Sequence, residues 1–253
     1  RGFTRLTERT AVDEVVAQQV AAGIDVVSDG EMSKPSYTTY IRHRVDGIAP
    51  DPRAAEKGLE IMKGRDLLAH PDFGRRGNFS ASPFPGCVGP LKYKDRSALD
   101  RDLAHLKASA AKSKPADVFM TAPSPGILTR FIINLHYPTE DAYVAALADM
   151  MKTEYRAIVE AGFVLQIDAP DLGSARNNQY RHLSDDEFRN QIAERNIALL
   201  NAATEGLPPD RLRLHICWGN YEGPHSFDLP LLKIIDIAFK ARVQAISIEA
   251  ANP

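Results

Sequence analysis

The sequence alternates between helical and extended segments, and this alternation limits the fold more than any other feature of the chain. Apolar residues recur at helical spacing over residues 7–23, and a β-branched run follows at residues 24–31. Four further pairs repeat this order: 97–113 then 117–122, 139–161 then 163–168, 185–205 then 211–217, and 229–240 then 243–249. Successive helix–strand units predict a parallel sheet whose strands are connected by crossover helices.

Composition narrows the class of protein. The 253 residues include 31 Lys and Arg against 33 Asp and Glu, and the net charge of −2 argues against a nucleic-acid or anionic-membrane partner. Apolar runs are shorter than the roughly 18 residues that a membrane helix needs. Two cysteines, Cys87 and Cys217, are too few for a disulfide framework and fit a reducing compartment. No signal-peptide pattern opens the sequence, so we expect a cytoplasmic protein.

Two architectures suit this alternation: an open doubly wound sheet and a closed barrel. No Gly-x-Gly-x-x-Gly turn and no Gly-Lys-Ser/Thr motif is present, which argues against a nucleotide-binding sheet. The strands instead carry polar residues at alternate positions near their carboxyl ends, where barrels hold their active sites. The sequence therefore predicts an α/β fold of the TIM-type (β/α)8 barrel, with residues 1–253 as one catalytic domain. Five strands are fewer than the eight of a barrel, so we expect a chain that is incomplete or has strands hidden in an irregular region.

The irregular region covers residues 42–94 and is rich in Gly, Pro and charged residues. A structureless stretch of this length is unusual inside a compact domain. The region is therefore predicted to be an insertion that contains its own hairpin. Residues 79–82 and 87–94 are the candidate strands of this hairpin.

The strand at residues 211–217 carries the clearest chemical signal. Side chains of a strand alternate between its two faces, so Arg213, His215 and Cys217 share the face opposite Leu212 and Leu214. A His and a Cys side by side at a strand end are plausible ligands of zinc. The alternative is a buried Cys next to a hydrogen-bonded structural His.

Glu249 ends the next strand on the same inward face, at the level of Cys217. Neighbouring parallel strands lie roughly 4.8 Å apart, so this carboxylate could reach a metal held by His215 and Cys217. Three protein ligands with one exchangeable position are typical of catalytic zinc sites. The alternative is a Glu that faces solvent at the start of a loop.

Acidic residues also end two other strands. Asp168 closes the strand at 163–168, and Asp29 and Glu31 follow the first strand around Gly30. Acids at the rim of a barrel can bind a cationic group of a substrate or act as general bases. The alternative is that these carboxylates cap loops or helices.

These residues together resemble the cobalamin-independent methionine synthase family, specifically its C-terminal catalytic barrel. Residues 25–31, Asp-Val-Val-Ser-Asp-Gly-Glu, are similar to the family segment that ends in a Gly-Glu pair, and residues 166–170, Gln-Ile-Asp-Ala-Pro, to its Gln-Ile-Asp-Glu-Pro motif. The resemblance implies that Glu31 and Asp168 bind the amino group of homocysteine. Residues 215–217, His-Ile-Cys, and 246–249, Ile-Ser-Ile-Glu, resemble the segments that supply three of the four zinc ligands. This implies that His215, Cys217 and Glu249 bind Zn²⁺.

The resemblance implies an enzyme, a methyltransferase of methionine biosynthesis. Zn²⁺ would hold the thiol of homocysteine as a thiolate at neutral pH, and methyltetrahydrofolate or another donor would supply the methyl group. Residues 215–220, His-Ile-Cys-Trp-Gly-Asn, are also similar to the branch that includes epoxyalkane coenzyme M transferases. No catalytic acid is assigned from the sequence.

Departures from the family pattern keep other functions open. The fourth zinc ligand and the catalytic His of the family would fall after Pro253, and its first strand before Arg1, so we expect a barrel that is incomplete at both ends. Gly86-Cys87 stands where the family has the Arg-Cys pair of its folate site, and the Trp expected after Ile127-Leu128 is absent. The alternatives are a coenzyme M-type thiol alkyltransferase, a metal-free barrel lyase or decarboxylase, and an inactive ligand-binding remnant.

Overall fold

The computed structural model describes residues 5–76, 84–219 and 223–249 of the chain. A parallel sheet of five strands lies at its centre, in the order β1–β4–β6–β7–β8, and a smaller sheet has the order β2–β3–β5. The strands are β1 (Val26–Val27), β2 (Val45–Pro50), β3 (Pro85–Tyr93), β4 (Asp117–Pro123), β5 (Ile133–Asn134), β6 (Val164–Asp168), β7 (Leu212–Ile216) and β8 (Ala245–Ile248).

Helices connect the strands of the large sheet. The α-helices are α1 (Arg5–Ala21), α2 (Pro52–Met62), α3 (Arg65–Ala69), α4 (Pro71–Arg76), α5 (Ser97–Ser113), α6 (Pro125–Phe131), α7 (Glu140–Glu160), α8 (Pro170–Ser174), α9 (Asp185–Glu187), α10 (Glu194–Ala203) and α11 (Ile235–Ala238). Short 3-10 turns occupy Thr39–His43, Pro209–Arg211 and Leu231–Lys233, and a π-helical turn at Phe188–Ala193 joins α9 to α10. Among the described residues, no helix is both long and apolar enough to cross a membrane.

The predicted alternation is confirmed by the large sheet. Each pair of neighbouring strands in it is parallel, and the sheet curls into half of a barrel. The helix predicted over residues 229–240 is wrong as a single element. Ile234, whose φ of −129° lies outside the helical region, separates the turn Leu231–Lys233 from the four-residue α11.

The predicted insertion has a different internal structure from the one expected. The antiparallel partner of β3 is β2, and α2, α3 and α4 lie between these two strands, so the predicted hairpin is not confirmed. The candidate strand at residues 79–82 lies outside the described residues. β3 also pairs in parallel with β5, which connects this smaller sheet to the segment after α6.

Side-chain alternation in β7 follows the prediction. Leu212, Leu214 and Ile216 are buried beneath the outer helices, whereas Arg213 and His215 are only half-buried on the concave face. The apolar face of the strand therefore anchors it in the core. Because side chains alternate along the strand, Arg213 and His215 then face the inside of the half-barrel.

A buried ionic cluster joins the smaller sheet to two helices. Arg44 forms ion pairs with Asp102 of α5 and, at 3.3 Å, with Glu154 of α7. Tyr93 donates a hydrogen bond of 2.6 Å to Glu154, and Tyr40 donates another to the same carboxylate. Glu154 is fully buried, so these partners replace the water that its charge would otherwise require.

We expect Arg44→Met to reduce the free energy of unfolding by about 3–5 kcal/mol, because Asp102 and Glu154 would stay buried without their cation. Arg53→Met is the matched control, since Arg53 is 70% exposed and pairs with Asp51 at the surface. The control should leave the denaturant midpoint nearly unchanged. Equal midpoints for both variants would show that the buried cluster contributes nothing to stability.

Candidate functional site

A cavity of about 390 Å³ opens at the carboxyl ends of the strands of the large sheet. Each of the residues that the sequence assigned to substrate or metal lies on its wall: Glu31, Asp168, His215, Cys217 and Glu249. They come from the ends of four different strands, and the parallel direction of those strands brings these ends to one edge. The wall is completed by Ser28, Tyr37, Phe119, Thr121, Arg130, Gln166, Pro170, Ser174 and Gly219.

Glu31 is held on the wall by groups from two segments. Its carboxylate accepts a hydrogen bond of 2.6 Å from the hydroxyl of Thr121, and Lys34 donates to the carbonyl oxygen of Thr121 at 2.6 Å. The backbone of Glu31 has a φ of +56°, and its N–H donates to the side chain of Asp29 at 3.0 Å. Asp29 itself is buried and caps this turn, which is the alternative that the sequence left open for it.

Asp168 ends β6 and is also buried. Burial raises the pKa of its carboxyl group to about 6, although Gln166 donates a hydrogen bond of 2.8 Å to it and His215 lies close enough to favour its charge. The nearby charge of Glu31 also contributes to raising this pKa. The two acids therefore share one cavity, and an amino group bound between them would stabilise both charges. Amine binding by these residues stays a prediction.

His215, Cys217 and Glu249 line the part of the cavity wall that follows β7 and β8. The backbone N–H of Gly219 donates to the sulfur of Cys217 at 3.1 Å. Burial raises the pKa of the Cys217 thiol, and its hydrogen bond with Glu249 raises it further. Nδ1 of His215 is buried and makes no hydrogen bond with the described residues.

The side chains of His215, Cys217 and Glu249 are chemically suitable ligands for zinc. One imidazole nitrogen without a partner, one thiol and one carboxylate on the same wall are the ligand types that zinc prefers. Within residues 5–76, 84–219 and 223–249, no group of three or more His, Cys, Asp and Glu side chains has the spacing of a formed metal centre. Zinc binding by this set therefore stays a prediction.

A buried carboxylate, that of Asp171, connects elements next to the cavity through hydrogen bonds. Asp171 of α8 accepts hydrogen bonds of 2.6 Å from Ser124 and 2.8 Å from Asn196. Burial raises the pKa of this carboxyl group, and the two donors act against that effect. Ser124 also caps α6, since its side chain accepts the N–H of Ile127 at 3.1 Å. The network fixes the ends of β4 and β6 relative to α10.

A second cavity of about 230 Å³ adjoins the first, and sequence reasoning did not anticipate it. The two cavities share Tyr37, Arg130, Ser174 and Gly219. The second is lined further by Met62, Gly64, Asp66, Leu67, Phe131, Asn177, Asn178 and Trp218. These residues come from segments far apart in the sequence, so no local pattern could have grouped them.

Thr121 is another wall residue that the sequence analysis missed. The sequence could have predicted Thr121, because it follows Phe119 by two residues in β4 and both side chains line the cavity. The alternation that selected His215 and Cys217 in β7 would have selected Thr121 in β4.

Gly173 allows α8 to approach the backbone after β7. A Cβ atom at this position would lie 2.6 Å from the carbonyl oxygen of Cys217. We expect Gly173→Ala to displace the backbone at Cys217 and Trp218, and to cost about 1–3 kcal/mol of stability. Thermal unfolding measures the stability, and the emission of Trp218, the single Trp of the chain, reports its displacement.

Gly89→Ala is the control for this substitution, because a Cβ there would lie 3.7 Å from its nearest neighbour, an ordinary contact distance. The control should keep the emission spectrum of the parent protein. An unchanged spectrum in Gly173→Ala would contradict the close approach of α8.

The known proteins that this chain resembles in sequence are methionine synthases. No protein-family model matches the chain. The methionine synthase of Sulfolobus acidocaldarius is 24% identical over 235 residues, which cover 91% of this chain and 57% of the relative. The methionine synthase of Pyrococcus furiosus is 22% identical over 214 residues, which cover 84% of this chain and 52% of the relative. The chain therefore spans between half and two thirds of the length of these relatives.

Solved structures agree on the fold. A B12-independent methionine synthase from Shewanella sp. W3-18-1, in complex with selenomethionine, superposes with a TM-score of 0.62 at 21% identity, over 86% of this chain and 54% of that one. A putative vitamin B12-independent methionine synthase from Listeria monocytogenes superposes with a TM-score of 0.62 at 19% identity, over 96% of this chain and 63% of that one. The predicted resemblance to the cobalamin-independent methionine synthase family is thus confirmed by the named relatives, and the solved structures confirm that the fold is shared.

Proposed function

We propose that this protein is a zinc-dependent methyltransferase that transfers a methyl group to the thiol of homocysteine. The observation that carries the proposal is the convergence of Glu31, Asp168, His215, Cys217 and Glu249 on one cavity wall. Relatives named methionine synthase support the reaction type. The Shewanella relative was solved with selenomethionine, an analogue of the product that this reaction would form.

The acids and the metal ligands would have separate tasks. Glu31 and Asp168 would bind the amino group of homocysteine and so orient the chain of the substrate. His215, Cys217 and Glu249 would hold the zinc ion, which lowers the pKa of a bound thiol and keeps it as a thiolate at neutral pH. The anionic forms of Cys217 and Glu249 would offset the charge of the metal, so the sulfur of the substrate would stay nucleophilic.

The surrounding wall would exclude water and align the reactants. Trp218 is buried beside the second cavity, and its indole N–H donates to the carbonyl oxygen of Leu229 at 2.7 Å. A donor bound in the second cavity would present its methyl group toward the first, because the two share the wall at Tyr37 and Gly219. Holding the two reactants in line accounts for much of the rate gain available to such an enzyme.

We expect protein purified without chelator to contain about one zinc ion per chain, measured by elemental analysis. Cys217→Ser should lower the zinc content well below one, because the hydroxyl is a weak ligand compared with a thiolate. Cys87→Ser is the matched control, since Cys87 is buried in β3 and donates to the carbonyl oxygen of Gly89 at 3.4 Å. Equal zinc content in both variants would contradict the assignment of Cys217 as a ligand.

Homocysteine binding to the zinc-loaded protein should release about one proton per site near pH 7, because the thiol would bind as its thiolate. Calorimetry in buffers of different ionisation enthalpy counts the protons. X-ray absorption at the zinc edge tests for a new zinc–sulfur bond. Zero released protons together with an unchanged zinc edge would leave only a structural metal and would overturn the proposed reaction.

A further inference from the structure

The two cavities meet at a shared wall, and methyl transfer between them would take place there. Tyr37, Arg130, Ser174 and Gly219 line both cavities. A thiol bound in the first cavity and a donor bound in the second would bring the sulfur and the methyl carbon together beside these residues. A side chain of the shared wall that can give up a proton would therefore lie next to the bond that breaks.

Two residues of the shared wall have their donor groups engaged by the protein. The backbone N–H of Gly219 donates to the sulfur of Cys217 at 3.1 Å. The hydroxyl of Ser174 donates to the carbonyl oxygen of Pro170 at 2.8 Å. Neither group is therefore suited to give a proton to a ligand.

Arg130 is not suited to this task either. Its Nη1 atom donates to the hydroxyl of Ser174 at 3.3 Å, and its Nη2 atom lies 3.6 Å from the sulfur of Met62 in α2. An arginine side chain is not deprotonated in proteins. Arg130 can thus donate hydrogen bonds at the shared wall but cannot act as an acid there.

Tyr37 differs from these three residues, because its hydroxyl makes no hydrogen bond with any other residue that the structure describes. Its ring packs edge-on against Phe131, with the ring centres 6.0 Å apart and the ring planes at 80°. This contact orients the ring and leaves the hydroxyl for a ligand. Burial raises the pKa of Tyr37, and the nearby charge of Arg130 acts against that effect. The phenol therefore keeps its proton at neutral pH until a stronger base forms beside it.

The carboxylates of the two cavities are placed less well for this task. Glu31 and Asp168 line the first cavity only, on the side of the thiol. Asp66 lines the second cavity, where its carboxylate accepts the N–H of Ser226 at 2.8 Å and a further hydrogen bond from the amide of Asn177. Asp66 is therefore held as an acceptor.

Protonation matters for one class of methyl donor. When the methyl group leaves a tertiary amine, the electron pair of the carbon–nitrogen bond stays on the nitrogen and gives it a negative charge. A proton that arrives as this bond breaks removes the charge, which is the task of a general acid. The sequence analysis assigned no residue to this task.

We propose that Tyr37 is the general acid of the methyl transfer and gives its phenolic proton to the leaving nitrogen of a tertiary amine donor in the second cavity. This inference rests on the proposed function, because it assigns a catalytic residue to that reaction. A lone pair of the homocysteine sulfur forms the bond to the methyl carbon while the carbon–nitrogen bond breaks. The electron pair of the broken bond takes the proton of Tyr37. The phenolate then recovers a proton from water, which replaces the proton that the thiol releases on binding.

Two methyl donors that differ in their need for an acid test this assignment. Methyltetrahydrofolate leaves as an amine and requires a proton, whereas methyl iodide leaves as iodide and requires none. The rate of methionine formation is measured for each donor with zinc-loaded protein and saturating homocysteine at pH 7, above the rate in protein-free buffer. We expect Tyr37→Phe to lower the rate with methyltetrahydrofolate at least about 100-fold and to leave the rate with methyl iodide unchanged. Calorimetry should give the same homocysteine affinity for Tyr37→Phe and the parent.

Tyr137→Phe is the matched control for the loss of a hydroxyl. The hydroxyl of Tyr137 accepts the N–H of Leu91 at 3.0 Å, and Tyr137 lines neither cavity. This variant should use both donors as the parent does. Trp218 emission and the melting temperature show that both variants are folded.

The outcomes distinguish this inference from the proposed function. Equal rates with methyltetrahydrofolate in the parent and in folded Tyr37→Phe would overturn the role of Tyr37 and leave the proposed function intact. An equal loss with both donors would also overturn that role, because a disturbed wall would then explain the loss. A parent that uses methyl iodide but not methyltetrahydrofolate would contradict a tertiary amine donor and with it this inference. If the parent methylates homocysteine with neither donor, the proposed function is wrong and this inference with it.

Discussion

The common direction of the strands is the constraint on which the site depends. Side-by-side parallel pairing places the carboxyl ends of β1, β4, β6, β7 and β8 at one edge of the large sheet. Residues distant in the sequence, such as Glu31 and Glu249, then line a single cavity. An antiparallel arrangement would send alternate strand ends to opposite edges and divide these residues between two surfaces. The crossover helices that the parallel direction requires also cover the outer face of the sheet.

Buried polar groups hold this arrangement in place. Asp171 receives hydrogen bonds from Ser124 and Asn196, and the Glu154 carboxylate receives them from two tyrosines while Arg44 balances its charge. Each of these carboxylates lies among groups that replace its hydration, so loss of one partner costs more than one hydrogen bond. The wall of the cavity is thereby tied to helices behind it and can hold its side chains in fixed positions.

Charge gives the cavity its chemical character. Carboxylates lie at one part of the wall, the guanidinium of Arg130 at another and the sulfur of Cys217 at a third. Burial would make an ionic interaction with any of these groups stronger than at the surface, because less water competes for the charges. The raised pKa of Asp168 has the same origin, and an ammonium group bound beside it would favour its ionised form.

Hydrophobic periodicity and strand alternation in the sequence were enough to predict the parallel sheet, the inward face of β7 and the positions of His215 and Cys217, because both depend only on local spacing. The positions of strand ends also singled out Glu31 and Asp168, and the motifs assigned both residues to the amino group of homocysteine. Local patterns could not supply the partner of β3, the division of the helix predicted over 229–240 or the neighbours of Arg130. Strand pairing across intervening helices and contacts among α2, α6 and α8 depend on how the chain packs in three dimensions. The sequence by itself therefore determined which strand ends carry polar side chains and which side chains point inward. Only the tertiary structure decided which of these side chains share a cavity, because long-range contacts carry no periodic signal along the chain.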